Sequence, residues 1–169
     1  MPTTLTRREA IALVTTALGA VSLPAGAQQE TEEKPASGEN KMRTSLHQEI
    51  SLKAAPQRIF DILLDAKQFA AFTGLPAEID PKPGGTFKTF GGLIEGRNLE
   101  LIPGQRVVQA WRPASWEAGF YSVIHFELKA REGGTLLTLD HTGFPEGDYD
   151  HLLFGWNTRY WGPLKKYLG

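Results

Sequence analysis

The chain has no cysteine in its 169 residues. Disulfides, thiolate metal sites and a cysteine nucleophile are therefore excluded. It also lacks any apolar run near the ~20 residues that cross a bilayer as a helix, so no transmembrane span is expected in the mature chain. Nor is there a basic surplus: 18 Lys and Arg stand against 19 Asp and Glu, giving a net charge of −1 and a pI of about 6.4. A general nucleic-acid binder needs that surplus to displace counterions, so nucleic acid is not an expected partner.

Catalytic patterns are equally scarce. The histidines number four (His47, His125, His141 and His151), and their spacing resembles no metal set. Neither a metal nor another cofactor is expected. Ser115 and Ser122 lack the Gly-x-Ser-x-Gly setting of an activated nucleophile. Gly84-Gly85, Gly91-Gly92 and Gly96 precede no helix, so they read as turn glycines and not as a phosphate loop. Glu95 and Glu100 are an odd number apart. On an unbroken strand they face opposite sides, which disfavours a pair of carboxylates working together.

What is present begins with a leader. Thr6-Arg7-Arg8, a modestly apolar run from Ala10 to Leu23, and Ala25-Gly26-Ala27 read as a signal peptide over residues 1–27, cleaved after Ala27. The Arg7-Arg8 pair is similar to a twin-arginine signal, which implies that export machinery as a partner and an exported, periplasmic location. Residues 28–43 are polar and Glu-rich, with Pro35 and Gly38. They bury too little to offset ordering and read as a flexible spacer.

The folded domain is expected over residues 44–169. Leu46 to Leu52 suits a half-buried strand. Pro56 starts a helix with Ile59, Phe60 and Leu63 inward and Leu64 at the edge. A short turn over Gln68–Phe72 and a brief strand over Ala77–Asp80 lead to a three-run meander. Its runs are Phe87 to Phe90, Leu93 to Ile102 and Arg106 to Arg112, separated by Gly91-Gly92 and Pro103-Gly104. Ser122, Ile124, Phe126 and Leu128 share one face of the next strand. Leu137, Leu139 and His141 share a face of its hairpin partner, joined through Glu132-Gly133-Gly134. A long helix from about Asp148 to Leu168 carries Tyr149, Leu152, Leu153, Trp156, Tyr160, Leu164 and Tyr167 as its stripe. Pro163 predicts a kink near Arg159.

Gly84-Gly85-x-Phe87, Phe90-x-Gly92-x-Ile94-x-Gly96, Glu100-Leu101-x-Pro103 and Val107-Val108-x-x-Trp111-Arg112 form a recognisable series. Trp116-x-x-Gly119, Gly134-Thr135-x-Leu137-x-Leu139, Gly143-x-Pro145, Gly155-Trp156 and Tyr160-Trp161 extend it. Together they resemble the activator domain of the ninety-kilodalton heat-shock chaperone ATPase, a family within the START-like superfamily. The resemblance implies an α+β helix-grip fold, in which a curved antiparallel sheet wraps around a long C-terminal helix. It also implies a cavity between the two. Trp156, Tyr160, His141, Phe126, Leu137 and Leu139 are the candidates to line it. Trp116 is either a gate at its mouth or ordinary packing. Because that superfamily includes lipid carriers, cyclases and chaperone activators, fold alone does not choose a function. The apolar stripe and apolar sheet favour an exported, non-catalytic binder of a small apolar or amphipathic ligand. The alternatives are a protein-interaction module assisting a chaperone and a cyclase-like enzyme using the same cavity, with His141, Tyr160 and Tyr121 as its candidate polar groups.

Export has a direct test. Replacing Arg7 and Arg8 with Lys should strand the precursor inside the cell, because the twin-arginine route reads the paired guanidinium groups. An unchanged yield of protein beginning at Gln28, read by N-terminal sequencing, would reject that route.

Overall fold

A computed structural model describes residue 40 and residues 42–169. The expected signal peptide, with Arg7, Arg8 and Ala27, lies outside the described residues, as does most of the spacer. At the spacer's end, Asn40 Nδ2 donates to Asp150 at 3.0 Å, and Arg43 donates to the Tyr149 hydroxyl at 3.2 Å.

Among the described residues, seven antiparallel strands form one sheet: β1 (Ser45–Leu52), β2 (Glu78–Ile79), β3 (Thr86–Thr89), β4 (Ile94–Ile102), β5 (Arg106–Pro113), β6 (Ser122–Arg131) and β7 (Gly134–Thr142). Their order across the sheet is β1-β7-β6-β5-β4-β3-β2. Between β1 and β2 run α1 (Pro56–Leu64) and α2 (Ala66–Thr73). After β7 comes the C-terminal helix, made of α3 (Tyr149–Gly155), a π-helical turn (Trp156–Trp161) and α4 (Gly162–Leu168). This is the expected helix-grip architecture.

Local chemistry sets the boundaries. Pro56 opens α1, where a missing N–H is harmless. Both Ile62 and Leu64 are buried with the expected stripe, so α1 packs on more than one side. The turn expected over Gln68–Phe72 is a full helix. Asp65 caps it by accepting the Gln68 N–H at 2.8 Å, and Gly74 ends it in the left-handed region at φ 72°.

The alternation of β6 and β7 puts Ile124, Phe126, Leu137 and Leu139 inside, all essentially inaccessible to solvent. Within β4 the register shifts between Asn98 and Glu100. That bulge corrects the expectation for the two glutamates, because both now lie on the outer face. Glu95 meets Arg112 at 2.6 Å, while Glu100 meets Arg106 at 3.5 Å. Each carboxylate has its own arginine, so the pair does not form one site. Gly96 sits opposite both Phe87 and Trp111. A Cβ there would lie 2.0 Å from the Ala110 carbonyl oxygen and 2.3 Å from the Phe87 ring. Only glycine lets these two large side chains approach across the strand.

At the position of the expected kink, near Arg159, the C-terminal helix has a π-helical turn. Its helical backbone runs on through Gly162, and the irregularity is a widened turn. The Gly162 N–H bonds to the Asn157 carbonyl, five residues back. Pro163 supplies the reason. Lacking an N–H, and with a ring that crowds the carbonyl four residues earlier, it would disrupt a regular α-helix at Arg159. One wide turn accommodates it.

Candidate functional site

Three indoles form a stack through the middle of the domain. Trp111 from β5 lies 4.9 Å from Trp156 at an interplanar angle of 24°. Trp156 lies 5.2 Å from Trp161 at 19°. The π turn makes the second contact possible. In a regular helix of 3.6 residues per turn, Trp161 would point about 140° away from Trp156. In a π turn, residues five apart return to one face. Trp161 is therefore buried, although it falls off the stripe read from the sequence.

Each indole N–H of the stack has a partner. Trp111 donates to Gln109 Oε1 at 2.8 Å, and Gln109 in turn donates to Asn98 Oδ1 at 2.7 Å. Asn98, on the bulged strand, donates to the Asp80 carbonyl at 2.8 Å. Trp161 donates to Gln48 Oε1 at 2.8 Å, and Gln48 donates to Asn157 at 2.9 Å. Trp156 donates to His141 Nδ1 at 3.1 Å. An accepting Nδ1 places the histidine's proton on Nε2, which then donates to Ser122 Oγ at 2.8 Å. Ser122 Oγ donates in turn to the Trp111 carbonyl at 3.2 Å. The circuit needs a neutral imidazole. Burial enforces this by lowering the pKa of His141 from 6.5 to about 3.

Beside this stack is an apolar cleft of about 510 Å³. Trp111, Trp156 and Tyr160 border it together with Phe90, Leu93, Ile94, Leu152 and Pro163. Its polar groups come from Thr73, Ser115, His151, Thr158 and Arg159. Trp116 bonds Asp148, and Phe72 packs on both Tyr160 and Tyr167. The Pro113–Ser115 wall thus lies by the start of the helix, and the Thr73–Leu75 wall by its second half. Phe90 takes a left-handed φ of 53°, followed by Gly91 at 69° and Gly92 at 91°. A phenylalanine pays for that conformation with strain. The offset comes from its ring, which packs edge-on against Phe69 at 5.4 Å.

Of the residues expected to line a cavity, Trp156 and Tyr160 do so. Phe126, Leu137 and Leu139 are fully buried beneath the helix, and Phe126 meets Trp156 edge-on at 5.9 Å. The space between sheet and helix is filled there. His141 is 1% exposed and joined to Trp156, behind the cleft. Its strand neighbour Asp140 points to the outer face and pairs with His47 at 2.6 Å. Trp116 lies outside the cleft, with its ring edge-on to Phe120 at 5.7 Å. Arg112 holds that loop by donating to the Trp116 carbonyl at 3.0 Å and lowers the pKa of Glu95 by its hydrogen bonds. Tyr121 is exposed on the outer face beside Glu95. Sequence reasoning missed Phe90, Leu93, Ile94 and Arg159 as wall residues. The motif containing Phe90, Gly92 and Ile94 was their only signal. Among the described residues, no three His, Cys, Asp or Glu side chains are grouped to hold a metal ion, and no helix is long and apolar enough to cross a membrane.

Comparison with known proteins bears on this geometry. Residues 53–169 match the family described as Activator of Hsp90 ATPase homolog 1-like protein. Human Activator of 90 kDa heat shock protein ATPase homolog 1 is 26% identical over 115 residues, covering 68% of this chain and 34% of that protein. The Dictyostelium discoideum homologue is 28% identical over 106 residues, covering 62% and 27%. The chain thus spans about a third of the length of these relatives or less. Among solved structures, an HSP90 activator from Plasmodium falciparum superposes with a TM-score of 0.71 at 26% identity, covering 75% of this chain and 97% of that one. The Aha1 dimer from Colwellia psychrerythraea has the same fold, with a TM-score of 0.64 at 21% identity and coverage of 75% and 96%.

The neutral histidine gives a pH prediction. Unfolded, His141 takes up a proton near pH 6.5; folded, it does so only near 3. Its contribution to stability is complete above pH 6.5 and declines as pH falls from 6.5 toward 3, by ~1.4 kcal/mol per pH unit. Denaturant unfolding of the native protein and of His141→Gln should therefore converge or cross as pH drops from 7.5 to 5.5, with about 1.4 kcal/mol of relative change. The His47–Asp140 pair is common to both proteins and cancels. Parallel pH profiles would contradict the neutral, buried histidine.

Proposed function

The chain belongs to the Activator of Hsp90 ATPase homolog 1-like family, and we propose that within it this domain binds a small apolar or amphipathic molecule in the cleft beside Trp111 and Trp156. One observation carries the proposal: a 510 Å³ opening bordered by aromatic and aliphatic side chains. Its size and lining fall in the range of small-molecule sites. The rim adds to this, since Leu75 and Leu93 border the cleft at 41% and 53% exposure. Export, supported by the Arg7-Arg8 leader pattern and the Ala27 cleavage site, would place the binder in the periplasm.

A second reading comes from the relatives themselves. Proteins named as activators of the 90 kDa heat shock protein ATPase match most of this chain, so the same exposed rim would instead contact a chaperone. In this reading a macromolecular surface covers Leu75 and Leu93, and no small molecule enters.

Gly155 separates the readings. It borders the cleft in helical conformation, φ −60° and ψ −47°, and an added Cβ would meet nothing within 4 Å. Gly155→Leu should fill the opening while leaving the melting temperature unchanged or slightly raised, since leucine is the better helix former. Nile red, a neutral apolar dye, should bind the native protein, quench its tryptophan emission and raise its melting temperature. Each effect should be lost in Gly155→Leu. Equal dye binding by both proteins would place the dye elsewhere. No dye binding, with stimulation of a purified 90 kDa chaperone's ATPase, would favour the second reading.

A further inference from the structure

We propose that the cleft's occupant is an amphipathic anion, with a carboxylate-type head at Arg159 and an oxygen accepting from the Tyr160 hydroxyl. This rests on the cleft reading above and adds the charge and polarity of the ligand.

The first argument is the charge inventory of the walls. Acidic residues slightly outnumber basic ones in the whole chain, yet among the described residues no aspartate or glutamate borders the cleft. Arg159 does border it, and His151 lies on the same helix. Arginine is charged at any working pH and offers a planar fork of donors matched to a carboxylate. Among the described residues the ion pairs engage His47, Lys82, Arg106, Arg112 and His125; Arg159 is in none of them. A cation beside an apolar floor, with no carboxylate on the walls among the described residues, complements a negative head on an apolar body. A cationic amphiphile would meet repulsion there.

The second argument is Tyr160. Only 3% of it is exposed, and it borders the cleft. Its ring is ringed by others, with Trp156 and Trp161 each at 4.8 Å and Phe72 at 5.6 Å. Among the described residues its hydroxyl makes no hydrogen bond, and burial alone raises its pKa. Among the described residues the fully buried side-chain atoms without a partner are Asn40 Oδ1 and Thr89 Oγ1, so the Tyr160 hydroxyl keeps solvent access, and an acceptor in the cleft it borders can reach it. The neighbouring indoles Trp111, Trp156 and Trp161 all have acceptors. Tyr160 is the aromatic donor of this cluster left for a guest. Arg159 and Tyr160 both border the cleft, so a guest lying in it has the guanidinium and the hydroxyl on its walls.

The test compares three probes with the same twelve-carbon tail, each below its micelle-forming concentration at pH 8. They are dodecanoate, dodecanol and dodecyltrimethylammonium, with Kd read from tryptophan quenching and calorimetry on the full chain. Dodecanoate should bind about tenfold tighter than dodecanol, the scale of a charge-assisted hydrogen bond, and the cation most weakly. Arg159→Gln should erase the preference for dodecanoate while leaving dodecanol binding intact. Tyr160→Phe should weaken dodecanoate with a smaller effect, and Lys165→Gln, on the same helix but outside the cleft, should change nothing. Equal binding of dodecanoate and dodecanol, or a preference that survives Arg159→Gln, would overturn the anionic assignment and leave the apolar cleft standing. Unchanged dodecanoate affinity in Tyr160→Phe would remove the hydroxyl from the site. Failure of all three probes to bind would overturn the cleft reading itself.

Discussion

The stack of Trp111, Trp156 and Trp161 is the interaction on which the rest of this structure depends. It joins the middle of the sheet to the C-terminal helix through two near-parallel contacts. Stacked indoles bring large apolar area together, but each carries an N–H that is costly to bury unpaired. Here the acceptors are Gln109, His141 and Gln48, drawn from three different strands. Four of the buried polar residues follow from this requirement. Gln109, Asn98, Ser122 and His141 are buried because the indoles, or the partners of the indoles, need them. His141, a cavity-lining candidate in the sequence, is the acceptor for Trp156 and is kept neutral by its burial.

The same stack accounts for the helix and the cleft. Two tryptophans five residues apart can share a face only on a widened turn, and Pro163 makes such a turn less costly than a regular one. On the other side, Trp111 and Trp156 present their remaining surface to the opening beneath Phe90 and Ile94. The left-handed run of Phe90, Gly91 and Gly92 sets the turn whose Phe90 ring packs on Phe69 and on Tyr160 of the helix. A cleft thus exists at the edge of a densely packed aromatic cluster, while the main space between sheet and helix is filled. Rigid aromatic groups on a strand and a helix make a better-defined floor than loop residues would.

Much of the fold was legible because its signals are local. Alternation in β6 and β7 identified Phe126, Leu137, Leu139 and His141 as inward. Glycine pairs marked the meander's turns, and Pro56 marked a helix start. The candidate site was less legible. Trp156 and Tyr160 were found from helical spacing, but that spacing assumes 3.6 residues per turn and so hid Trp161. The bulge at Asn98/Glu100 defeated the alternation argument for Glu95 and Glu100, since one extra residue reverses every later orientation. Phe90, Leu93 and Arg159 come together only through the curvature of the sheet against the helix. No period within a single element records that. The family match over residues 53–169 supports the fold and leaves the occupant of the cleft to the chemistry of its walls.

The central claim is that the first two indoles of the stack form the floor of a ligand site. Fluorine NMR of the protein labelled with 5-fluorotryptophan tests it most directly, because the four tryptophans give four separable resonances. On titration with Nile red, the signals of Trp111 and Trp156 should move most. Those of Trp161, which stacks behind Trp156, and Trp116, tied to Asp148, should stay nearly fixed. Shifts confined to Trp116 or Trp161, or no shift at a concentration where the dye is bound, would contradict the account.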